Sequence, residues 1–400
     1  MHIIIVGAGC IGSCTAYYLS SRDNVKVTII EKVDVACASS GKAGGFLWRD
    51  GSGELSKNSY KLHEQLAEKL KGEKRYGYRQ LDTYSVTMTD DHEDITRRPS
   101  NNEDQVPWLY QHRITHIDRL AEKRDTAQVH PKLFTETIIE QAQSTGKVEL
   151  ITGIGVQQLL YHDNSNKVAM SKMAVKGVIL ENGDTIVADK VILCMGPWSS
   201  TFLLNPHTIE ENEEKNVTMT SRSKQKQKYL PIDTARAHSI VVQVPRTSPI
   251  GAQALFTAIL DQSKLYEPEV YPRSDGTVYI CSATDEAIPL PSSADQVTID
   301  PEAIRLLKRL CIKLSPHIIN SVQDNVLIEQ ACYLPISRDG HPLIGKHPRY
   351  ENLYVSAGHS VWGILLSPIS GLIMTELVLN GTVSCVSYEA LSRISLDSRA

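Results

Sequence analysis

The sequence predicts an α/β fold, in which a parallel-sheet domain built from separate chain segments is interleaved with an antiparallel α+β domain. Three observations lead there. Residues 1–31 read as strand, glycine turn, helix and strand. Short alternating strands with one helix occupy 229–325, and a strand, glycine turn and helix return near the C-terminus. A chain of 400 residues is long enough to bury two or three cores.

The opening unit has a physical cause at each position. Ile3, Ile4, Ile5 and Val6 form a continuous β-branched run, as a strand buried on both faces requires. Gly7-Ala8-Gly9-Cys10-Ile11-Gly12 follows. Gly7 permits the tight turn, Gly9 lets backbone N–H groups approach a pyrophosphate, and Gly12 lets the helix from about 10 to 20 pack on the sheet. That helix aims its positive end at the phosphates. Glu31, nineteen residues after Gly12, ends the second strand beside Lys32 and can accept from ribose hydroxyls. An acid there repels a 2′-phosphate and favours FAD or NAD over NADP.

Next comes a run of small residues, Ser39, Ser40, Gly41, Lys42, Ala43, Gly44 and Gly45, suited to close approach of backbone to ligand. Helical spacing predicts helices over 55–70 and, after His130-Pro131, to about 145. A Glu-Asn-Gly-Asp turn at 181–184 joins a hairpin of 175–180 with 185–188. The buried strand 191–194 runs into Gly196 and Trp198, a glycine turn of the kind at which open α/β sheets bind ligands. Strands at 237–244, 267–271 and 277–282 and a helix at 301–314 form the second domain. Strand 353–357, the turn through Gly358, His359, Trp362, Gly363 and Ile364, and a helix over 367–379 close the chain. The nucleotide-binding domain is therefore assigned 1–60, 126–204 and 326–400, the second domain 61–125 and 229–325. The polar stretch 205–228 is read as a solvated, mobile insertion.

A net charge of -4 leaves no nucleic-acid footprint. The eight cysteines show neither CxxC pairs nor metal-ligand spacing, so no metal is expected. The most apolar run, 363–379, is broken by Ser367, Pro368, Ser370, Thr375 and Glu376, and reads as a core helix. No leader is expected before a strand that starts at residue 2 or 3. The expected setting is cytosolic, with peripheral endosomal association as the second reading, and the expected state is a monomer or weak dimer.

Four ordered motifs carry a family resemblance: the N-terminal fingerprint with Glu31, ASSGKAGG at 38–45, VILCMGPW at 191–198, and the pair DGHPLIG at 339–345 and SAGHSVWGILLSPISG at 356–371. They resemble the flavin-dependent D-amino-acid oxidase, glycine oxidase and sarcosine oxidase superfamily over nearly the whole chain. ASSGKAGGFL, TAQVHP, RAHSIV, EVYPRSDGTVYIC, QACYLP and GHSVWGI look more closely like a fungal and plant branch of FAD-dependent oxidoreductases. The resemblance implies a Rossmann-like, glutathione-reductase-type domain holding extended FAD, with the flavin at the interface to the substrate domain. It further implies oxidation of a C–N bond of a small amine or modified amino acid by hydride transfer to flavin N5, with oxygen as acceptor. A hydroxy-acid or alcohol oxidase on the same scaffold is one alternative. A flavoprotein acting mainly through a protein partner in vesicle or endosomal trafficking is the other.

Residue roles follow from that likeness. His359, Trp362, Trp48 and Arg273 are the candidates around substrate. His359 would orient substrate or stabilise reduced flavin, with an imidazole titrating near neutrality, or simply cap its turn. Lys42 is read as a pyrophosphate contact, with assistance to oxygen as the second role. A helix starting near Ser367-Pro368 would direct its dipole at the flavin. The superfamily's carboxylate-gripping arginines are replaced by Leu334 and by Val361 or Trp362, leaving Arg236 and Arg273 as anchors. Cys332 lies seven residues before Asp339, a spacing similar to the flavin-linked cysteine of monomeric sarcosine oxidase. Non-covalent FAD is preferred, and a link at Cys332 is the alternative.

Overall fold

The β-branched runs become the inner strands of a six-stranded sheet. Its order is Leu343–Lys346, Leu353–Ala357, Lys190–Leu193, His2–Val6, Lys26–Glu31 and Val148–Thr152. Every neighbouring pair is parallel except Leu343–Lys346 with Leu353–Ala357. The computed structural model describes residues 1–89, 106–162, 173–202, 204, 230–285, 288–319, 325–396 and 399. The expected insertion at 205–228 lies outside them.

Alternation along His2–Val6 sends Ile3 and Ile5 into a core with helices Cys10–Ser20, Pro131–Gln143 and Gly363–Asn380, and Ile4 and Val6 into a second core on the other face. Helix Gly363–Asn380 begins four residues earlier than the sequence suggests, so Pro368 lies inside it instead of opening it. With its lead-in turn, Ser360–Asn380 is long and apolar enough to cross a membrane by length and composition, with a mean hydropathy of 1.7. Two thirds of it is buried within the protein, and that burial accounts for its composition. It approaches helix Cys10–Ser20 closely: a Cβ on Gly371 would stand 2.6 Å from the Cys14 carbonyl carbon.

A second sheet has eight strands. Its order is Val326–Ser337, Ile232–Gln243, Thr277–Asp285, Glu269–Pro272, Gln253–Asp261, Asp82–Met88 and Ile114–Ala121, with Lys264–Tyr266 attached to Gln253–Asp261. Ile240, Leu255, Val270 and Ile280 face helix Pro301–Leu314, whose Ile304, Leu307 and Leu310 complete that core. The opposite face meets the nucleotide-binding segments. There Ser39 Oγ donates to the Tyr333 carbonyl at 2.7 Å, and Lys42 Nζ to the Ala331 carbonyl at 3.0 Å. Strand Val326–Ser337, which the sequence groups with the nucleotide-binding segments, thus runs in the large sheet, paired along its length with Ile232–Gln243.

Candidate active site

Gly7 leaves the first strand at φ +107°, and a Cβ there would fall 2.4 Å from the Cys194 carbonyl oxygen. Only glycine fits that turn. A Cβ on Gly9 would meet Ser40 Oγ at 2.9 Å, so the small-residue loop closes directly on the fingerprint. Ser40 Oγ also accepts from the Cys10 N–H at 3.0 Å, occupying one donor of the helix N-terminus. Glu31 accepts from the Ala8 N–H at 2.9 Å through one oxygen and from the Val33 N–H at 3.1 Å through the other. The acid therefore fixes both turns at the edge it shares with Lys32, whose ammonium is 2.7 Å from Glu181.

From that edge an elongated cavity of about 300 Å³ runs across the C-terminal ends of the parallel strands. Glu31 and Lys32 border one end; Gly7, Gly9, Cys10 and Ile11 form the floor, with Ser39, Ser40 and Ala43 beside them. Gly196 and Trp198 form another wall, where the Trp198 indole donates to the Pro291 carbonyl at 2.8 Å. Gly358, His359, Gly363 and Ile364 close the far end together with Leu334 and Val361. Ala8, Gly12, Gly41, Lys42, Gly44, Gly45 and Cys332 are not in its lining. Gly12 stands back to back with the Gly7 carbonyl, and Gly44 lies under the Tyr271 and Tyr279 rings.

His359 is 3% exposed, bonded through Nε2 to Ser370 Oγ at 2.9 Å, and burial pushes its pKa down to about 3. The imidazole is thus neutral across the physiological range, not the neutral-pH titrating group its sequence position suggests. Trp362 lies over Gly51. Trp48 joins Phe46 and Phe256 with ring centroids 6.3 and 6.4 Å away. Neither tryptophan lines the long cavity. Arg273 is buried away from it, donating to the Ala43 carbonyl at 3.2 Å with its guanidinium 5.3 Å from the Tyr279 ring centre. Arg236 donates to Thr298. Lys42 reaches Ala331 instead of the pyrophosphate floor. Burial raises the Cys332 thiol to about 11, which opposes thiolate formation despite the Lys42 charge nearby.

The family model for FAD-dependent oxidoreductases of the DAO type matches residues 2–377. The chain belongs to the DAO family. FAD is accordingly the cofactor of this protein. A Schizosaccharomyces pombe protein described only as a candidate oxidoreductase is 29% identical over 98% of this chain and 97% of its own. Glycine oxidase of Bacillus subtilis is 22% identical over 95% of this chain and 94% of its own. Among solved structures, glycine oxidase from Geobacillus kaustophilus superposes with a TM-score of 0.73 at 20% identity, covering 100% of this chain and 98% of that one.

The DAO-family cofactor suits the residues present: glycines at 7 and 9 where a Cβ would collide, the N-terminus of helix Cys10–Ser20 beside them, and the Glu31 carboxylate at the end of the second strand. Other members of the wall were not legible as site residues. Glu181 reads as part of a hairpin turn, yet it pairs with Lys32 and accepts from the Gly155 N–H at 3.1 Å. The segment around Ser292, Ser293 and Ala294 folds over the cavity without any motif of its own. A row of side chains crosses the large sheet on the face opposite its apolar core. Ser85, Phe256, Glu269, Cys281, Ser239 and Gln330 are in register on six adjacent strands. Glu269 is the signal there, an acid at an inward position of a strand.

Proposed function

We propose that this DAO-family enzyme oxidises a carbon–nitrogen bond of a small amine, with oxygen as electron acceptor. The observation that carries the reading is the DAO-family match over residues 2–377 with glycine oxidases among the relatives, and the state of His359 agrees with it. An alcohol must lose its hydroxyl proton as hydride departs, which calls for a base poised near working pH. His359 is neutral but holds protons too weakly, with a pKa near 3, and its Nε2 is committed to Ser370. The carboxylates of Glu31 and Glu181 are engaged by backbone N–H groups and Lys32 at the opposite end. An amine that binds as its ammonium and gives its proton to solvent before the chemical step needs no such base, because the freed lone pair expels the hydride. FAD supplies the two-electron acceptor. The protein's part is to bind, orient and dehydrate the amine. Names of relatives such as glycine oxidase agree with both the bond and the acceptor.

We assign the dinucleotide to Gly7, Gly9, Cys10 and Ile11 at its pyrophosphate, Glu31 at its ribose, and the wall Gly358 to Ile364 at its ring end. The test is anaerobic flavin bleaching against amines, amino acids and hydroxy acids. Bleaching by amines, with colour restored on admitting air, is the expected outcome. Bleaching by hydroxy acids alone overturns the reading.

A further inference from the structure

Glu269 sits in the middle of the cross-sheet row with Phe256 directly opposite on one neighbouring strand and Cys281 opposite on the other. Its carboxylate accepts from the Tyr271 hydroxyl at 2.7 Å and lies 3.7 Å from Cys281 Sγ. Among the described residues no lysine or arginine pairs with it. Burial raises its pKa, and the two donors only partly offset that effect. A carboxyl so placed is satisfied either by taking up a proton or by a cation beside it.

The surroundings suit a cation. Phe256 stands 5.4 Å from Phe46 and 6.1 Å from Tyr271, and Phe46 stacks on Tyr271 at 5.4 Å with an interplanar angle of 12°. Trp48 closes the same group from 6.4 Å. Aromatic faces next to an acid are the chemistry that recognises ammonium groups. The far end of the row is tied to the cofactor loop: Gln330 donates to Ser239 Oγ at 3.0 Å and to the Lys42 carbonyl at 3.2 Å. Among the described residues no arginine borders the long cavity to grip a carboxylate. Arg236 and Arg273 are committed to Thr298 and to the Ala43 carbonyl.

We infer that Glu269, held by the Tyr271 hydroxyl and flanked by Phe256 and Phe46, forms a subsite for the cationic nitrogen of an amine that carries no carboxylate. The inference deepens the amine-oxidation reading and rests on it for the site's purpose, but binding can be measured without turnover. A quaternary ammonium has no lone pair to expel hydride, so benzyltrimethylammonium is a probe that cannot be consumed.

Calorimetric titration of the FAD-loaded protein should show saturable binding of benzyltrimethylammonium and none of benzoate. Glu269→Gln should weaken binding at least tenfold while the flavin spectrum stays that of the wild type, and Glu269→Asp should fall between. Should E269Q lose its flavin, the wild-type preference and the aspartate variant decide. Preference for benzoate, no binding of the ammonium, or unchanged affinity in E269Q overturns the subsite. Failure of the amine reading shows instead in the bleaching panel, where no amine would reduce flavin even if the probe binds.

Discussion

His63 donates from Nε2 to the Ile364 carbonyl at 3.0 Å, replacing the donor that Pro368 removes from the fourth position along the helix. It also lies 3.1 Å from the Leu365 carbonyl, which takes a second hydrogen bond from Ser59 Oγ at 2.6 Å. One turn of helix Gly53–Leu70 thereby repairs the broken first turns of helix Gly363–Asn380, at the point where that helix ends the cofactor cavity. Bonding two carbonyls through Nε2 fixes the proton there, and Nδ1 is left without a partner.

His63→Leu should therefore take one donor from each of the Ile364 and Leu365 carbonyls, which keep the Ser367 and Ser59 hydroxyls, and cost about 0.5–1.5 kcal/mol, seen as a lower denaturation midpoint at unchanged slope. His63→Gln, which retains a donor, should recover part of the loss.

The same residue makes stability pH-dependent. Burial lowers His63 from 6.5 to about 4, so between those values the unfolded chain takes up a proton that the folded protein refuses. Stability is fully present above pH 6.5 and is lost as pH falls towards 4, by about 3 kcal/mol for this group. His359 adds a loss of the same sign reaching to about 3. Unfolding measured between pH 7 and 4 should flatten in H63Q relative to wild type.

Gly371→Ala places a methyl group 2.6 Å from the Cys14 carbonyl carbon and 2.8 Å from its oxygen. Backbone cannot give way as a side chain can, so separation of the two helices should cost about 1–3 kcal/mol. Because one of those helices carries the fingerprint, FAD affinity should fall along with the melting temperature.

Glu31→Ala removes the acceptor shared by the Ala8 and Val33 N–H groups. Loss of charged hydrogen bonds of this kind is worth about 1.5–3 kcal/mol each, and flavin should wash out during gel filtration at concentrations where the wild type keeps it.

Cys332, held near 11 by burial and absent from the cavity lining, should not be bonded to the flavin. Acid precipitation should leave the yellow colour in the supernatant. Colour in the pellet would show a covalent link.

The parts of this protein legible from sequence were those in which one local pattern has one physical meaning. The fingerprint, strand Leu353–Ala357 and helix Pro301–Leu314 each follow from periodicity and turn chemistry confined to about a dozen residues. What escaped depends on distant partners. Pro368 reads as a helix start until His63, some 300 residues away, is seen to join Ser367 in satisfying the Ile364 carbonyl that it strands. His359 looks like a neutral-pH imidazole until its burial against Ser370 is known. Glu269 is an ordinary strand residue until register places it between Phe256 and Cys281.

The interleaving of the six-stranded sheet has a consequence for how the chain is made. His2–Val6 pairs with Lys190–Leu193, a strand made only after the long stretch of chain between them. Lys190–Leu193 in turn waits for Leu353–Ala357. Until then an apolar edge stays open to other chains, and the wall containing His359 and Gly363 does not exist. Such long-range pairing makes folding slow and leaves nascent chains prone to aggregate. Truncation before residue 353 should therefore yield insoluble protein instead of a smaller flavoprotein.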